Sequence, residues 1–316
     1  MNSLATPASD AKQALDAATD ALRAIGVESP RLDAELLLAE AVGVDRATLV
    51  ADAVTISPAA SRGFGEMVRR RLRREPVAYI LGRRGFRNLE LGVDRRVLVP
   101  RPETELLVEV ALEHQPASVL DVGTGSGAIA LAVADELPGC AVTATDTSAA
   151  ALEVARANAE RLGLADRVRF EQGTLPAAGS GAAPSTAPAS FDLVLANLPY
   201  VAERDWSSLQ PEVTQWEPRE ALLAGPDGLD AYRALLDIPR PSPNPSQSVR
   251  SYLPHAVESA NALGGAGAVA LEVGEGQAPA VAELVRGAGF GTVWTRRDLA
   301  GIERVVVGER SAGGTR

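Results

Sequence analysis

The sequence predicts an α/β fold, a mostly parallel sheet covered by helices, with a small helical bundle ahead of it. Three observations carry this. From Ala117 onward, apolar strand-like runs alternate with helical stretches; the first of these runs leads into a glycine-rich turn, Gly123 to Gly127, that opens a helix; and before residue 75 the apolar residues recur at helical spacing.

The elements follow in order. Leu15, Ala18, Leu22 and Ile25 fall on one helical face. Ser29 and Pro30 supply an N-cap and a first-turn proline before Leu32, Leu36 and Leu37, and Ser57 with Pro58 repeats the signal ahead of Phe64, Met67, Val68 and Leu72. Residues 1–75 therefore read as a helical bundle. From Pro76 the pattern changes, and Gly82, Gly85 and Gly92 punctuate short runs such as Tyr79-Ile80-Leu81 and Val97-Leu98-Val99, which predicts a hairpin linker over 76–104. The remainder, 105–316, reads as the catalytic domain. It should hold strands over 118–122, 141–145, 168–170, 191–196 and 268–273, with helices over 128–137 and 149–162. Residues 179–190 are low in complexity and residues 239–245 carry four prolines, so both read as surface insertions; residues 311–316 read as frayed.

Composition narrows the function classes. With 316 residues, 46% of them hydrophobic, the chain has enough apolar content for a large core, which excludes disorder and fibre. The net charge of −10, from 31 basic and 41 acidic residues, is a poor field for non-specific attraction to nucleic acid. No apolar run approaches the roughly 20 residues of a membrane span, and MNSLATPASD lacks the blocks of a signal peptide. Cys140, the single cysteine, forms no internal disulfide and holds no zinc by itself, so a cytoplasmic setting without membrane or metal is expected. His114 and His255 read as structural or exposed, Trp206, Trp216 and Trp294 as packing residues, and Cys140 as core. Twelve arginines lie between Arg62 and Arg101, against Glu66, Glu75, Glu90 and Asp94. They form either a solvated helix face or, from Arg69 to Arg74, a docking surface for an acidic partner.

The chemistry sits in three places. In Asp121-Val122-Gly123-Thr124-Gly125-Ser126-Gly127, the glycines let the backbone approach a nucleotide-type ligand, although the spacing also satisfies a loose dinucleotide fingerprint. Asp146 ends the second strand, where a carboxylate accepts ribose hydroxyls of a cofactor of either kind or caps a helix. Asn197-Leu198-Pro199-Tyr200 discriminates between them, because hydride transfer has no special need for it. Methyl transfer to a planar nitrogen does: the Asn197 side-chain oxygen and the Leu198 carbonyl each accept one proton of an NH2 group, and Tyr200 packs against its plane.

With these residues goes a resemblance that covers nearly everything from Glu75 to Gly308. The stretches EPVAYILGRRGF from Glu75, LVPRPETE from Leu98, DVGTGSGAIALA from Asp121, LANLPYV from Leu195, EPREALLAGPDGL from Glu217 and LEVGEGQ from Leu271 resemble the bacterial peptide chain release factor glutamine methyltransferases. The resemblance implies a Rossmann-like, class I S-adenosylmethionine-dependent methyltransferase sheet, a helical domain that grips class 1 release factors, and methylation of the glutamine in their Gly-Gly-Gln loop. It implies Gly123, Thr124, Gly125, Ser126, Gly127, Asp146 and Asn197 as cofactor contacts, and Asn197, Leu198, Pro199 and Tyr200 as catalytic and substrate contacts. Two positions depart from the family: Leu198 replaces the first proline of Asn-Pro-Pro-Tyr, and Thr174 stands where an acidic residue often lies beside adenine. Ribosomal-protein glutamine and adenine-N6 nucleic-acid methyltransferases are the neighbouring readings.

Overall fold

The computed structural model describes residues 9–51, 54–173, 191–237, 263 and 265–310. Thr174, His255, the two expected insertions and the frayed end lie outside them. The chain divides into two compact units, Met1–Arg83 with Gln210–Trp216, and Arg84–Leu209 with Glu217–Arg316.

The first unit contains β1 (Ser9–Asp10), α1 (Ala11–Ala24), α2 (Pro30–Val42), α3 (Arg46–Ala51), β2 (Thr55–Ile56), α4 (Pro58–Leu72) and α5 (Val77–Leu81). Its core joins Leu15, Ala18 and Leu22 of α1 to Ala34, Leu37 and Leu38 of α2 and Phe64 of α4. Ser57 accepts the Ala60 N–H at 3.1 Å, capping α4 as its position before Pro58 predicts. Ser29 makes no such side-chain bond. Leu32 is exposed rather than buried, because the buried stripe of α2 runs through Ala34, Leu37 and Leu38 and leaves Leu32 across the helix. Tyr79-Ile80-Leu81 is not part of a hairpin but ends α5, which Gly82 stops in the left-handed region at φ +71°.

Most of the arginine stretch is engaged within this unit. Arg71, 5% exposed, donates to Asp33 at 2.7 Å and to Glu212 at 2.6 Å. Arg74 donates to Glu212 at 2.6 and 3.0 Å and to Gln210 at 2.9 Å. Arg70 pairs with Glu75 at 2.6 Å and Arg69 with Glu66 at 2.6 Å. Burial pushes Glu212 up, but its arginine partners outweigh it and leave it below the usual carboxylate range. Arg71 and Arg74 are thus spent on carboxylates of this unit, whereas Arg73 stays exposed, and the docking surface expected from Arg69 to Arg74 is reduced to its outer arginines.

The chain continues into β3 (Arg83–Phe86) and β4 (Leu89–Gly92), a two-stranded hairpin. Val97 to Val99 forms no strand, yet Val97 and Val99 are buried. There follow α6 (Glu105–His114), β5 (Ser118–Val122), α7 (Ala128–Glu136), β6 (Ala141–Asp146), α8 (Ala149–Arg161), β7 (Val168–Gln172) and β8 (Leu193–Ala196). The short α9 (Pro211–Trp216), which the sequence assigns to the larger domain, belongs to the first unit. The second unit ends with α10 (Asp230–Leu235), β9 (Ala268–Glu272), α11 (Ala278–Gly287), β10 (Thr292–Arg297) and β11 (Glu303–Glu309).

Seven strands form one sheet in the order β10-β11-β9-β8-β5-β6-β7. β7, β6, β5, β8 and β9 are parallel, and β10 and β11 add an antiparallel edge that the sequence reading lacks. Strand periodicity sorts the core into two layers. Val119, Leu193, Leu195, Val305 and Val307 pack on one face with α6 and α7, while Leu120, Val122, Val194, Leu271 and Val306 pack on the other with α10 and α11.

Candidate active site

The carboxyl ends of β5, β6, β8 and β9 share one sheet edge because these strands are parallel. β5 has β6 on one side and β8 on the other, so the strand order reverses there, which is where open α/β sheets form their ligand crevice. The glycine turn, Asp146, the Asn197 turn and Glu272 all lie at these strand ends.

Gly123, Gly125 and Gly127 adopt φ of +75°, +55° and +85°, conformations that favour glycine. The Gly123 and Thr124 N–H groups both donate to the Thr145 carbonyl at 2.9 Å, which holds the turn against β6. A Cβ on Gly127 would stand 2.9 Å from Leu131 Cδ1, whereas one on Gly125 would meet nothing within 4 Å. Gly127 therefore serves helix packing, and Gly125 borders open space. The Thr124 hydroxyl turns inward to Asp121 Oδ2 at 2.6 Å, an oxygen that also accepts the Ala130 N–H at 3.1 Å. Full burial pushes Asp121 up to about 7, against these two hydrogen bonds. Ser126 is buried too, and its carbonyl accepts the Asn158 amide at 2.9 Å. The same amide brackets Gly92, accepting its N–H at 2.7 Å and donating to its carbonyl at 3.0 Å.

Asp146 accepts the Gly125 N–H at 2.9 Å and the Ser148 N–H at 2.8 Å, one on each oxygen. A carboxylate has about four acceptor sites, so capacity for two hydroxyl protons remains. Burial raises its pKa while those backbone bonds oppose the shift.

The Asn197 turn adjoins the glycine turn. A Cβ on Gly123 would lie 3.5 Å from Leu198 Cδ2 and 3.9 Å from the Asn197 carbonyl oxygen. Leu198 packs with Leu120, Val122 and Tyr232, so side-chain burial anchors the position where the family has proline. Gln277 donates to the Tyr200 carbonyl at 2.9 Å and accepts the Gly274 N–H at 3.0 Å. Val201 pairs with the 222–224 segment, donating to Leu222 at 2.8 Å and accepting from Ala224 at 2.9 Å. Arg101 holds buried Glu217 through both carboxylate oxygens at 2.7 and 2.8 Å. The Asn197 side-chain NH2 donates to Thr104 Oγ1 at 3.0 Å. Burial pushes Glu272 up to about 7 and the Tyr200 phenol up to about 12. Thr104, Gln277, Glu272 and Asn158 carry no assigned role in the sequence reading; the first three stand in the stretches quoted from Leu98 and Leu271.

His114 approaches the Val110 carbonyl at 2.8 Å and Glu309 at 3.2 Å, Trp216 donates to the Arg73 carbonyl at 3.2 Å, and Cys140 is buried. Among the described residues, no group of three or more His, Cys, Asp or Glu could hold a metal ion, and no helix is long and apolar enough to cross a membrane.

A reversal of strand order beside the first parallel strand, with a glycine turn and an amide-bearing turn at its mouth, suits a class I methyltransferase. The "Methyltransferase domain" family matches residues 119–216, and the "PrmC N-terminal domain" family matches residues 13–82. The chain is 40% identical to the release factor glutamine methyltransferase of Caulobacter vibrioides over 95% of this chain and 96% of that one. It is 40% identical to that of Cereibacter sphaeroides over 94% and 97%, and 37% identical to that of Rhodospirillum rubrum over 95% and 85%. The chain belongs to the release factor glutamine methyltransferase family. The methyl donor of such an enzyme is S-adenosylmethionine, and the open space at Gly125 beside the spare acceptor capacity of Asp146 fits its ribose-bearing half.

Proposed function

We propose that this chain methylates the side-chain amide nitrogen of the glutamine in the Gly-Gly-Gln loop of class 1 release factors, in the cytoplasm. The observation that carries the reading is the approach of the Asn197-Leu198 turn to Gly123, which brings an amide-recognising turn against the cofactor turn. The names of the full-length relatives support it.

S-adenosylmethionine, when bound, supplies a methyl group activated by its sulfonium charge. Gly123, Thr124, Gly125, Ser126 and Gly127 form the backbone seat for it, and Asp146 accepts the ribose hydroxyls. The substrate nitrogen is a poor nucleophile, since its lone pair is delocalised into the carbonyl. Asn197 Oδ1 and the Leu198 carbonyl each accept one of its protons, which raises electron density as the nitrogen pyramidalises. Pro199 fixes the turn and Tyr200 packs against the amide plane, so orientation supplies the larger part of the acceleration. The nitrogen becomes strongly acidic after methyl transfer, and solvent takes its proton. The helical first unit is the grip for the release factor.

Transfer of labelled methyl to a purified release factor tests the reading, with the loop glutamine intact and replaced. Asn197→Ala should lose turnover by roughly two to three orders of magnitude, as loss of a preorganised transition-state contact does. Tyr200→Phe should be milder. Native turnover in Asn197→Ala, or label on a ribosomal protein or adenine in place of the release factor, refutes it.

A further inference from the structure

We propose that Asn158 is a positioning residue for the cofactor turn: its buried amide ties the Ser126 carbonyl to Gly92 at the end of β4, so the turn takes its S-adenosylmethionine-binding shape only with that strand end seated. The inference rests on the glycine turn being the cofactor seat.

The turn itself creates the need. In a helix that opens at Ala128, the N–H groups of Ala130 and Leu131 would reach back to the carbonyls of Ser126 and Gly127. Leu131 does return to Gly127, at 2.9 Å, but the Ala130 N–H goes to Asp121 Oδ2 at 3.1 Å. The Ser126 carbonyl is thereby released from the helix. Ser126 is 3% exposed, and a buried carbonyl needs a donor. Asn158 Nδ2 supplies one at 2.9 Å.

That donor comes from α8, whose other buried residues are all apolar. Ala155, about one turn before Asn158 on the same helix face, packs so closely on the glycine turn that a Cβ on Gly127 would stand 3.3 Å from its own. Asn158 is 2% exposed, and a carboxamide has two donor and two acceptor sites. All four are filled. Nδ2 donates to the Ser126 carbonyl and, at 3.0 Å, to the Gly92 carbonyl; Oδ1 accepts the Gly92 N–H at 2.7 Å and Arg161 Nη2 at 3.1 Å. Carbonyls only accept and N–H groups only donate, so the amide is fixed in one orientation. Toward Gly92 it presents a donor and an acceptor side by side, as a neighbouring strand does. Leu89 and Leu91 of β4 are buried in the core that holds α7, which makes the strand end a firm support. One rigid group thus joins the cofactor turn to the hairpin. A ligand that binds the turn in this shape must stabilise the Gly92 bonds, and those bonds must by reciprocity strengthen its binding.

The test uses the full chain. Asn158→Asp keeps the size of the side chain and both accepting bonds, but turns an oxygen toward the Ser126 and Gly92 carbonyls. S-adenosylmethionine should bind it about tenfold more weakly in calorimetry, the scale of one lost hydrogen bond, and its KM should rise while that of the release factor stays native. In hydrogen exchange on the native chain, S-adenosylmethionine at about a hundred times its Kd should slow the Gly92 N–H by roughly tenfold or more; in Asn158→Ala that N–H should exchange fast with or without it. Native affinity in a folded Asn158→Asp, whatever its melting temperature, overturns the tie, and it spares the seat if Asp146→Ala binds weakly. Native affinity in both variants overturns the seat and the tie with it. Should Asn158→Asp fail to fold, the native chain decides: Gly92 exchange indifferent to S-adenosylmethionine overturns the proposal.

Discussion

Gly228 sits where the brace behind the Asn197 turn is tightest, so Gly228→Ala probes how firmly the turn must be held. An added Cβ would lie 2.4 Å from the Tyr200 carbonyl oxygen, 2.7 Å from Gln277 Nε2 and 3.1 Å from the Ala202 nitrogen. Two of the three are backbone atoms, and neighbouring bonds from Leu222, Ala224 and Gln277 prevent them from yielding freely. The residue also adopts φ +76°, which costs an L-residue about 1–2 kcal/mol. Relieving the overlap costs about 1–3 kcal/mol more, so a loss of roughly 2–5 kcal/mol follows. The relief must come from Tyr200 moving outward by several tenths of an ångström, carrying the turn with it. Misplacement on the scale of 1 Å costs about a hundredfold in rate, so a tenfold or greater loss of kcat should accompany the lower melting temperature. Calorimetry and labelled-methyl transfer measure the two effects. A Gly228→Ala protein with native melting temperature and native kcat refutes the brace.

Three further outcomes follow from the geometry. Asp146→Ala should weaken S-adenosylmethionine binding by about 1.5–3 kcal/mol in calorimetry, the value of a hydrogen bond to a charged group; unchanged affinity would remove Asp146 from the cofactor site. Asp121, pushed up to about 7, keeps in the folded state a proton that the unfolded chain releases near pH 4. Stability from this group therefore falls as pH rises, by about 1.4 kcal/mol between about pH 6 and pH 8, and Asp121→Asn should flatten that share of the urea-unfolding profile. Arg71→Met strips the buried Asp33 and Glu212 of a common cation, which should cost about 3–5 kcal/mol in the first unit; a native melting curve would contradict it.

Much of this was legible because local chemistry and tertiary structure agree. Ser118 to Val122 is a strand as predicted, since an uninterrupted apolar run bounded by a glycine turn is what a strand buried on both faces requires. Ser57-Pro58 starts a helix because both its parts act within one turn. The misses are non-local. Leu32 has the composition of a core residue but the wrong angle around α2, which only the neighbouring helices decide. Arg71 and Arg74 read as surface charge because Glu212 lies far along the chain. The places of Asn197 and Asp146 at strand ends were readable from the apolar runs before them. The meeting of Thr104 with Asn197 was not, because that contact spans 93 residues.

The sequence distance between Arg71 and Glu212 also sets a clock. They are 141 residues apart, and Trp216 reaches back to Arg73 across 143. At about 5–20 residues per second, a ribosome needs roughly 7–30 s to deliver the segment that completes the first unit. Helices α1 to α5 therefore emerge first yet wait, with the Arg71 and Arg74 cations unmatched by Glu212, until most of the parallel strands have been made. The part of the protein that begins the chain is one of the last to be finished, and a nascent chain stalled before residue 210 should present an electropositive helical surface that the mature protein does not have.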